Sequence, residues 1–217
     1  MEEGVRHSAM SMDRSVVFVI DDDASVRDSV TDLVRSVGLV AESFGSTQEF
    51  LEFTGPDAAG CIVLDVRLPG TSGLEFQRAL AGLGIRLPII FISGHGDIPM
   101  SVRAMKSGAI EFLTKPLHEQ QLLDAIHAGI ERDRIRRQEA SAIAELRKRL
   151  DSLTPREREI LTLVITGRPN KQIADAARLS EMTVKVHRSQ IMRKMRAESV
   201  VDLARMADKL GVAPRKA

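Results

Sequence analysis

Cys61-Ile62-Val63-Leu64-Asp65-Val66-Arg67-Leu68-Pro69-Gly70 is the stretch on which the fold turns. Its opening apolar run is too short for a helix and does not alternate, so it reads as a strand buried on both faces. Asp65 ends the strand. Outward from it, the same pattern of a short β-branched run followed by an amphipathic stretch recurs. Val16–Ile20, Leu39–Phe44, Pro88–Ile92 and Ile110–Thr114 read as further strands beside Cys61–Leu64. Helical patterns start near Ser25, Ser46, Ser72, Asp97 and His118, several with Ser or Asp where an N-cap belongs. This alternation predicts an α/β domain whose parallel sheet is covered on both faces and joined by right-handed crossovers.

In such a sheet ligands bind outside the carboxyl ends of the strands. The first predicted strand ends in Asp21-Asp22-Asp23 and the third in Asp65, so acids from two strands converge. Close carboxylates repel one another unless a hard cation sits among them, and Mg²⁺, held by one or two carboxylates plus water, is the natural occupant. Ser93 and Lys115-Pro116 follow the fourth and fifth strands. They bring a hydroxyl and an ammonium to the same rim, the complement of an incoming phosphoryl group. A single Asp after a strand reads as a helix cap; only the conjunction points to chemistry.

At 217 residues and 43% apolar content, the chain can form one large domain or two small ones. Aromatics are 3%, with no Trp or Tyr, which leaves little for stacking single-stranded bases; a duplex binder needs none. Cys61 is the single cysteine, which excludes an intrachain disulfide and zinc-finger sites and fits a buried thiol. No apolar run approaches the ~20 residues that span a bilayer, and the first dozen residues lack an apolar signal core, so a cytoplasmic protein is expected. The net charge of +1 conceals an asymmetry. Residues 1–130 hold 10 Lys and Arg against 18 Asp and Glu, and residues 131–217 hold 21 against 12. The basic second part suits a polyanion, the acidic first part a cation or a basic partner.

After about Leu117 the strand signal stops. Glu119 to Leu153 contains no Pro and one glycine, Gly129, with Ile143, Leu146, Leu150 and Leu153 in an a/d seam of fewer than two heptads. A dimerising coiled coil and an intramolecular amphipathic helix both fit. Thr154-Pro155, with Glu157 three residues after Thr154, forms a capping-box signature that opens a new domain. A first helix there stops at Gly167, a second starts at Asn170, and a third runs from Ser180 or Glu181 to Met195. Val184, His187, Ile191 and Met195 give the third helix a packing face; Lys185, Ser189 and Met192, with Arg188 beside them, lie on another. A short basic helix with a polar outer side suits a major groove.

The quoted acids, the run Phe91-Ile92-Ser93-Gly94-His95-Gly96-Asp97 and Phe112-Leu113-Thr114-Lys115-Pro116 together resemble the receiver domain of bacterial two-component response regulators, over residues 14–130. The run from Gly94 to Met100 resembles the FixJ subgroup. This resemblance implies a flavodoxin-like five-stranded domain in which Asp65 accepts a phosphoryl group from a sensor histidine kinase. It implies Mg²⁺ bound by Asp22, Asp65 and the backbone carbonyl of Arg67, with Asp21 acting through water. Asp23 receives no role. Ser93 and Lys115 would bind the phosphoryl oxygens, Phe112 would turn inward as Ser93 moves, and the Lys115-Pro116 bond would be cis. His95 reads as a solvated loop residue.

Residues 153–212 are similar to the all-α, four-helix DNA-binding domain of the LuxR/NarL type, carried by Thr154-Pro155-Arg156-Glu157, Gly167, Asn170-Lys171-Gln172-Ile173-Ala174 and Thr183-Val184-Lys185-Val186-His187. Residues 131–152 are left as a helical linker. By position, Lys185, Val186 and Ser189 would face base edges, while Lys171, Thr183, Arg188 and Lys194 would hold phosphates. Val200, Leu203, Ala204 and Ala207 would line a fourth, dimerising helix. Arg178 stands where the family usually has Gly, at a turn that requires φ > 0 or a different path.

The function implied is a DNA-binding transcriptional regulator whose phosphorylation alters homodimerisation and promoter binding, with RNA polymerase as a further partner. No enzyme activity beyond slow self-dephosphorylation is expected. A haloacid-dehalogenase-like phosphatase needs a second Asp two residues after its nucleophile, and position 67 is Arg. A constitutive DNA-binding or scaffold protein with an unphosphorylated acidic pocket stays open.

Overall fold

β1 (Val16–Ile20) is buried along its whole length because its side chains feed two different cores. Val16, Phe18 and Ile20 point to one side, Val17 and Val19 to the other, as a strand's twofold period requires. The computed structural model describes residues 15–94 and 98–214. Among them, β1 is followed by α1 (Ala24–Ser36), β2 (Val40–Phe44), α2 (Thr47–Glu52), β3 (Gly60–Asp65), α3 (Gly73–Gly82), β4 (Ile89–Ser93), α4 (Ile98–Lys106), β5 (Glu111–Thr114) and α5 (Glu119–Asp151). Next come α6 (Pro155–Val164), α7 (Asn170–Ala177), α8 (Glu181–Met195) and α9 (Val200–Lys209). The predicted helix start at Asp97 and the loop position of His95 lie outside the described residues. No helix of the described residues is long and apolar enough to cross a membrane.

The chain divides into two compact units, residues 1–137 and 138–217. In the first, the strands form a parallel sheet in the order β2-β1-β3-β4-β5. One face carries Phe18, Ile62, Leu64 and Phe91 against Phe50 of α2, Phe76 and Leu80 of α3 and Ala104 of α4. The opposite face carries Val17, Cys61, Val63, Ile90 and Ile92 against Val30 and Val34 of α1 and Leu122, Ile126 and Ile130 of α5. Each buried Val, Leu, Ile or Phe among these contributes about 1.5–3 kcal/mol relative to exposure, and β1, β3 and β4, covered on both faces, read as apolar runs. Phe18, Phe44, Phe50 and Phe76 add edge-to-face ring contacts at 5.5–6.0 Å.

α5 continues through Gly129, whose missing Cβ would stand 3.0 Å from the Cβ of Cys61. The glycine lets the helix approach the sheet and does not break it. Farther along, Asp133 is wholly buried, accepting from the Gly60 N–H and from Arg136 and Arg137.

The second unit packs Leu146, Leu150 and Leu153 with α6, α7, α8 and α9 around Ile160, Leu161, Ile173, Val184, Ile191 and Leu203. Of the seam read from the sequence, Ile143 is exposed, and the three leucines lie in this core. Thr154 and Glu157 form the predicted capping box, Thr154 Oγ1 accepting from Glu157 N at 3.2 Å and Glu157 Oε2 from Thr154 N at 2.7 Å. Arg178 caps α7 in the left-handed region, φ 53° and ψ 52°, so the turn keeps the path of a glycine cap. Leu203 and Ala207 of α9 are fully buried in their own unit. The apolar face assigned to dimerisation is therefore closed inside the fold at these two positions.

Candidate functional site

The carboxyl ends of β1, β3, β4 and β5 bring Asp21, Asp65, Ser93 and Lys115 to one rim. Backbone bonds fix them there: Asp21 N donates to Phe44 O at 3.2 Å and Lys115 N to Ser93 O at 2.8 Å. Gly73, at the start of α3, is also needed, because a Cβ on it would stand 2.5 Å from the Asp65 carbonyl oxygen.

Lys115 Nζ lies 2.6 Å from both Asp21 Oδ2 and Asp65 Oδ2. The remaining oxygens also have partners: Asp21 Oδ1 accepts from the Asp23 N–H at 2.9 Å, and Asp65 Oδ1 from the Arg67 N–H at 2.8 Å. Burial pushes the Asp21 carboxyl above the ordinary carboxylate range, although the bond from Lys115 works against the rise. For Lys115 burial opposes the charge, but the bonds to Asp21 and Asp65 outweigh it and hold the ammonium above its ordinary value. Asp22 is exposed, and its carboxylate lies with those of Asp21 and Asp65 in a cluster whose ligand atoms are all within 4.8 Å of one another.

Three carboxylates, one of them facing solvent, are hard oxygen donors of the kind Mg²⁺ takes, so the residues fit the ion. Arg67, whose carbonyl was the further expected ligand, sits beside them, bridged to Ser72. Asp23 caps α1 through its side chain, accepting from Ser25 N at 2.9 Å. Ser93 is fully buried. Phe112 is partly buried on the same core as Phe91, ring centroids 6.4 Å apart. The Lys115-Pro116 bond is cis.

In the second unit, Lys171, Lys185, Val186 and Ser189 are exposed, and Thr183 is half-buried with its hydroxyl 2.8 Å from Ser180 Oγ. Two expected phosphate holders have protein partners. Arg188 Nη1 donates to Asn170 Oδ1 at 3.0 Å, and Lys194 Nζ to the buried carboxylate of Glu157 at 2.6 Å. Met192, placed on the outer side by its spacing, packs against the core. Met182 is exposed on the outer side and escaped the sequence reading, because a lone Met in a polar stretch carries no signal.

Comparison with known proteins accords with both halves. The response regulator receiver domain family matches residues 17–127, and the bacterial regulatory proteins of the luxR family match residues 151–207. Nodulation protein W of Bradyrhizobium diazoefficiens is 54% identical over 199 residues, covering 92% of this chain and 88% of that protein. The transcriptional regulatory protein FixJ of Azorhizobium caulinodans is 42% identical over 198 residues, 91% of this chain and 94% of that protein. The solved structure of the response regulator StyR is 48% identical, with a TM-score of 0.82 over 90% of this chain and 99% of that one. Matched by family in each unit and by relatives along nearly its whole length, the chain belongs to the two-component response regulators and carries a receiver domain followed by a LuxR-type DNA-binding domain.

Proposed function

We propose that Asp65 is the phosphoacceptor and that its modification controls homodimerisation and promoter binding by this regulator. The observation that carries the reading is the Asp65 carboxylate, buried at the end of β3, beside two further acids and 2.6 Å from Lys115 Nζ. An Asp65 oxygen attacks the phosphorus of a sensor kinase's phosphohistidine. An O–P bond forms as the N–P bond breaks, and the electron pair leaves with the imidazole nitrogen.

Lys115 holds positive charge where the phosphoryl oxygens arrive, and the Ser93 hydroxyl donates to one of them. Asp22, Asp65 and the Arg67 carbonyl would hold Mg²⁺, with Asp21 reaching it through water; the bound ion offsets the negative charge of acids and phosphoryl group together. Phe112 turns inward as Ser93 moves, coupling the pocket to the β5 surface. On α4, Ile98, Val102 and Met105 are exposed at spacings of four and three, an apolar stripe that a second copy can cover.

Lys185, Val186 and Ser189 face base edges, and Lys171 and Thr183 face phosphates. Arg188 and Lys194 act from behind, fixing α8 through Asn170 and Glu157. RNA polymerase is the further partner at the promoter.

Incubation with an acyl phosphate and Mg²⁺ tests the acceptor. Intact-mass spectra gain one phosphoryl group in the wild type and none in Asp65→Asn; equal phosphorylation of the two would remove Asp65 from the role.

A further inference from the structure

Met182, Lys185, Val186 and Ser189 follow the spacing i, i+3, i+4, i+7 and therefore share one face of α8, while Val184, Ile191 and Met195 are fully buried on the other. Two members of the outer stripe are apolar: Met182 is 70% exposed and Val186 53%. Neither packs against its own unit's core. Lys185 stands between them, in the part of the chain where 21 basic residues face 12 acidic ones, so the surface that covers this stripe is anionic as well as partly apolar.

We propose that Met182 and Val186 read thymine in the DNA major groove, by covering the C5-methyl groups of base pairs adjoining the one that Lys185 contacts. The proposal rests on α8 being the base-reading helix. The thymine methyl is the apolar feature of the major-groove edge, and cytosine lacks it. Four residues of helix rise about 6 Å, close to two base-pair steps, so the two methyls fall within two or three consecutive pairs. Val186 offers a short, stiff surface for one. Met182, unbranched and adaptable, reaches the other from the first turn of the helix.

The full-length protein is used to select duplexes from a random-sequence pool, and the enriched duplex is remade with each thymine replaced in turn by uracil. Uracil deletes the methyl and keeps every hydrogen-bonding group. Wild type should lose about three- to fivefold in affinity at two thymines, the size expected for one buried methyl. Met182→Ala should become indifferent to uracil at one of them and Val186→Ala at the other. Both side chains are exposed, and unchanged melting confirms that the variants fold.

Equal binding of every uracil duplex by wild type, or uracil penalties unaltered in both variants, would overturn the proposal. Lys185→Ala separates the two levels. If it loses preference for the selected duplex while uracil has no effect, α8 still reads DNA and the methyl contact alone falls. If it keeps full preference, or no sequence is enriched, the base-reading assignment falls with it.

Discussion

Arg178, following Ala177 at the end of α7, holds the left-handed backbone of a glycine-type turn, φ 53°, with a full side chain on it. An L side chain there costs about 1–2 kcal/mol, so Arg178→Gly should raise unfolding stability by about 1 kcal/mol, read from the urea midpoint. A lower midpoint would mean the guanidinium supplies more than the strain removes. Arg196, at φ 55°, has the same conformation at the end of α8 and no sequence signal. Cys61 behaves as its apolar neighbours imply: burial, with Asp133 nearby, pushes its thiol up to about 12. The native protein should resist a thiol reagent at mildly alkaline pH and react fully once denatured; rapid native labelling would contradict that burial.

At the scale of elements, helix starts and strand ends were legible because their signals are local. Thr154-Pro155 with Glu157 needs only neighbouring residues, and β1, β3 and β4 each carry a continuous apolar run. The long-range partners were not. Glu157 looks like half of a capping box, and only the packing of α8 on α6 shows Lys194, 37 residues away, donating to the same carboxylate. Burial works against the Glu157 charge, but Lys194 and Thr154 outweigh it and hold the carboxyl below its ordinary range. A carboxyl depressed in the folded state stabilises above the unfolded pKa, and that contribution disappears as pH falls through the folded value. Wild type should therefore lose melting temperature through the acid range more steeply than Glu157→Gln, and equal slopes would rule the linkage out. Lys194→Met, which leaves the carboxylate without its cation, should cost about 1–3 kcal/mol at neutral pH. Asp133 hid in Glu131-Arg132-Asp133-Arg134, a charge run that reads as solvated surface. Its bond to Gly60, 73 residues distant, ties α5 to the start of β3. Asp133→Leu leaves the Gly60 N–H and Arg136 without this acceptor, while Arg137 keeps Asp57, and a loss of about 1–3 kcal/mol should follow in denaturant melts.

For the whole molecule, the sequence shows two bodies through charge, with acids gathered before residue 131 and bases after it, and through the point where strands give way to helices. Five strands and a helical second unit answer to these patterns, while the order β2-β1-β3-β4-β5 depends on pairings between distant strands that no local pattern carries. What α5 does could not be read in advance. Its apolar positions are too few for a long seam, and the structure places Leu122, Ile126 and Ile130 in one core and Leu146 and Leu150 in another. The proposed coupling is that charge placed on Asp65 changes DNA binding by α8. The most direct measurement is the affinity of full-length wild type and Asp65→Asn for the selected duplex, each with and without an acyl phosphate and Mg²⁺. The phosphodonor should shift wild-type affinity and leave Asp65→Asn unmoved; an equal shift in both, or none in a wild type shown by mass to be phosphorylated, would overturn the coupling.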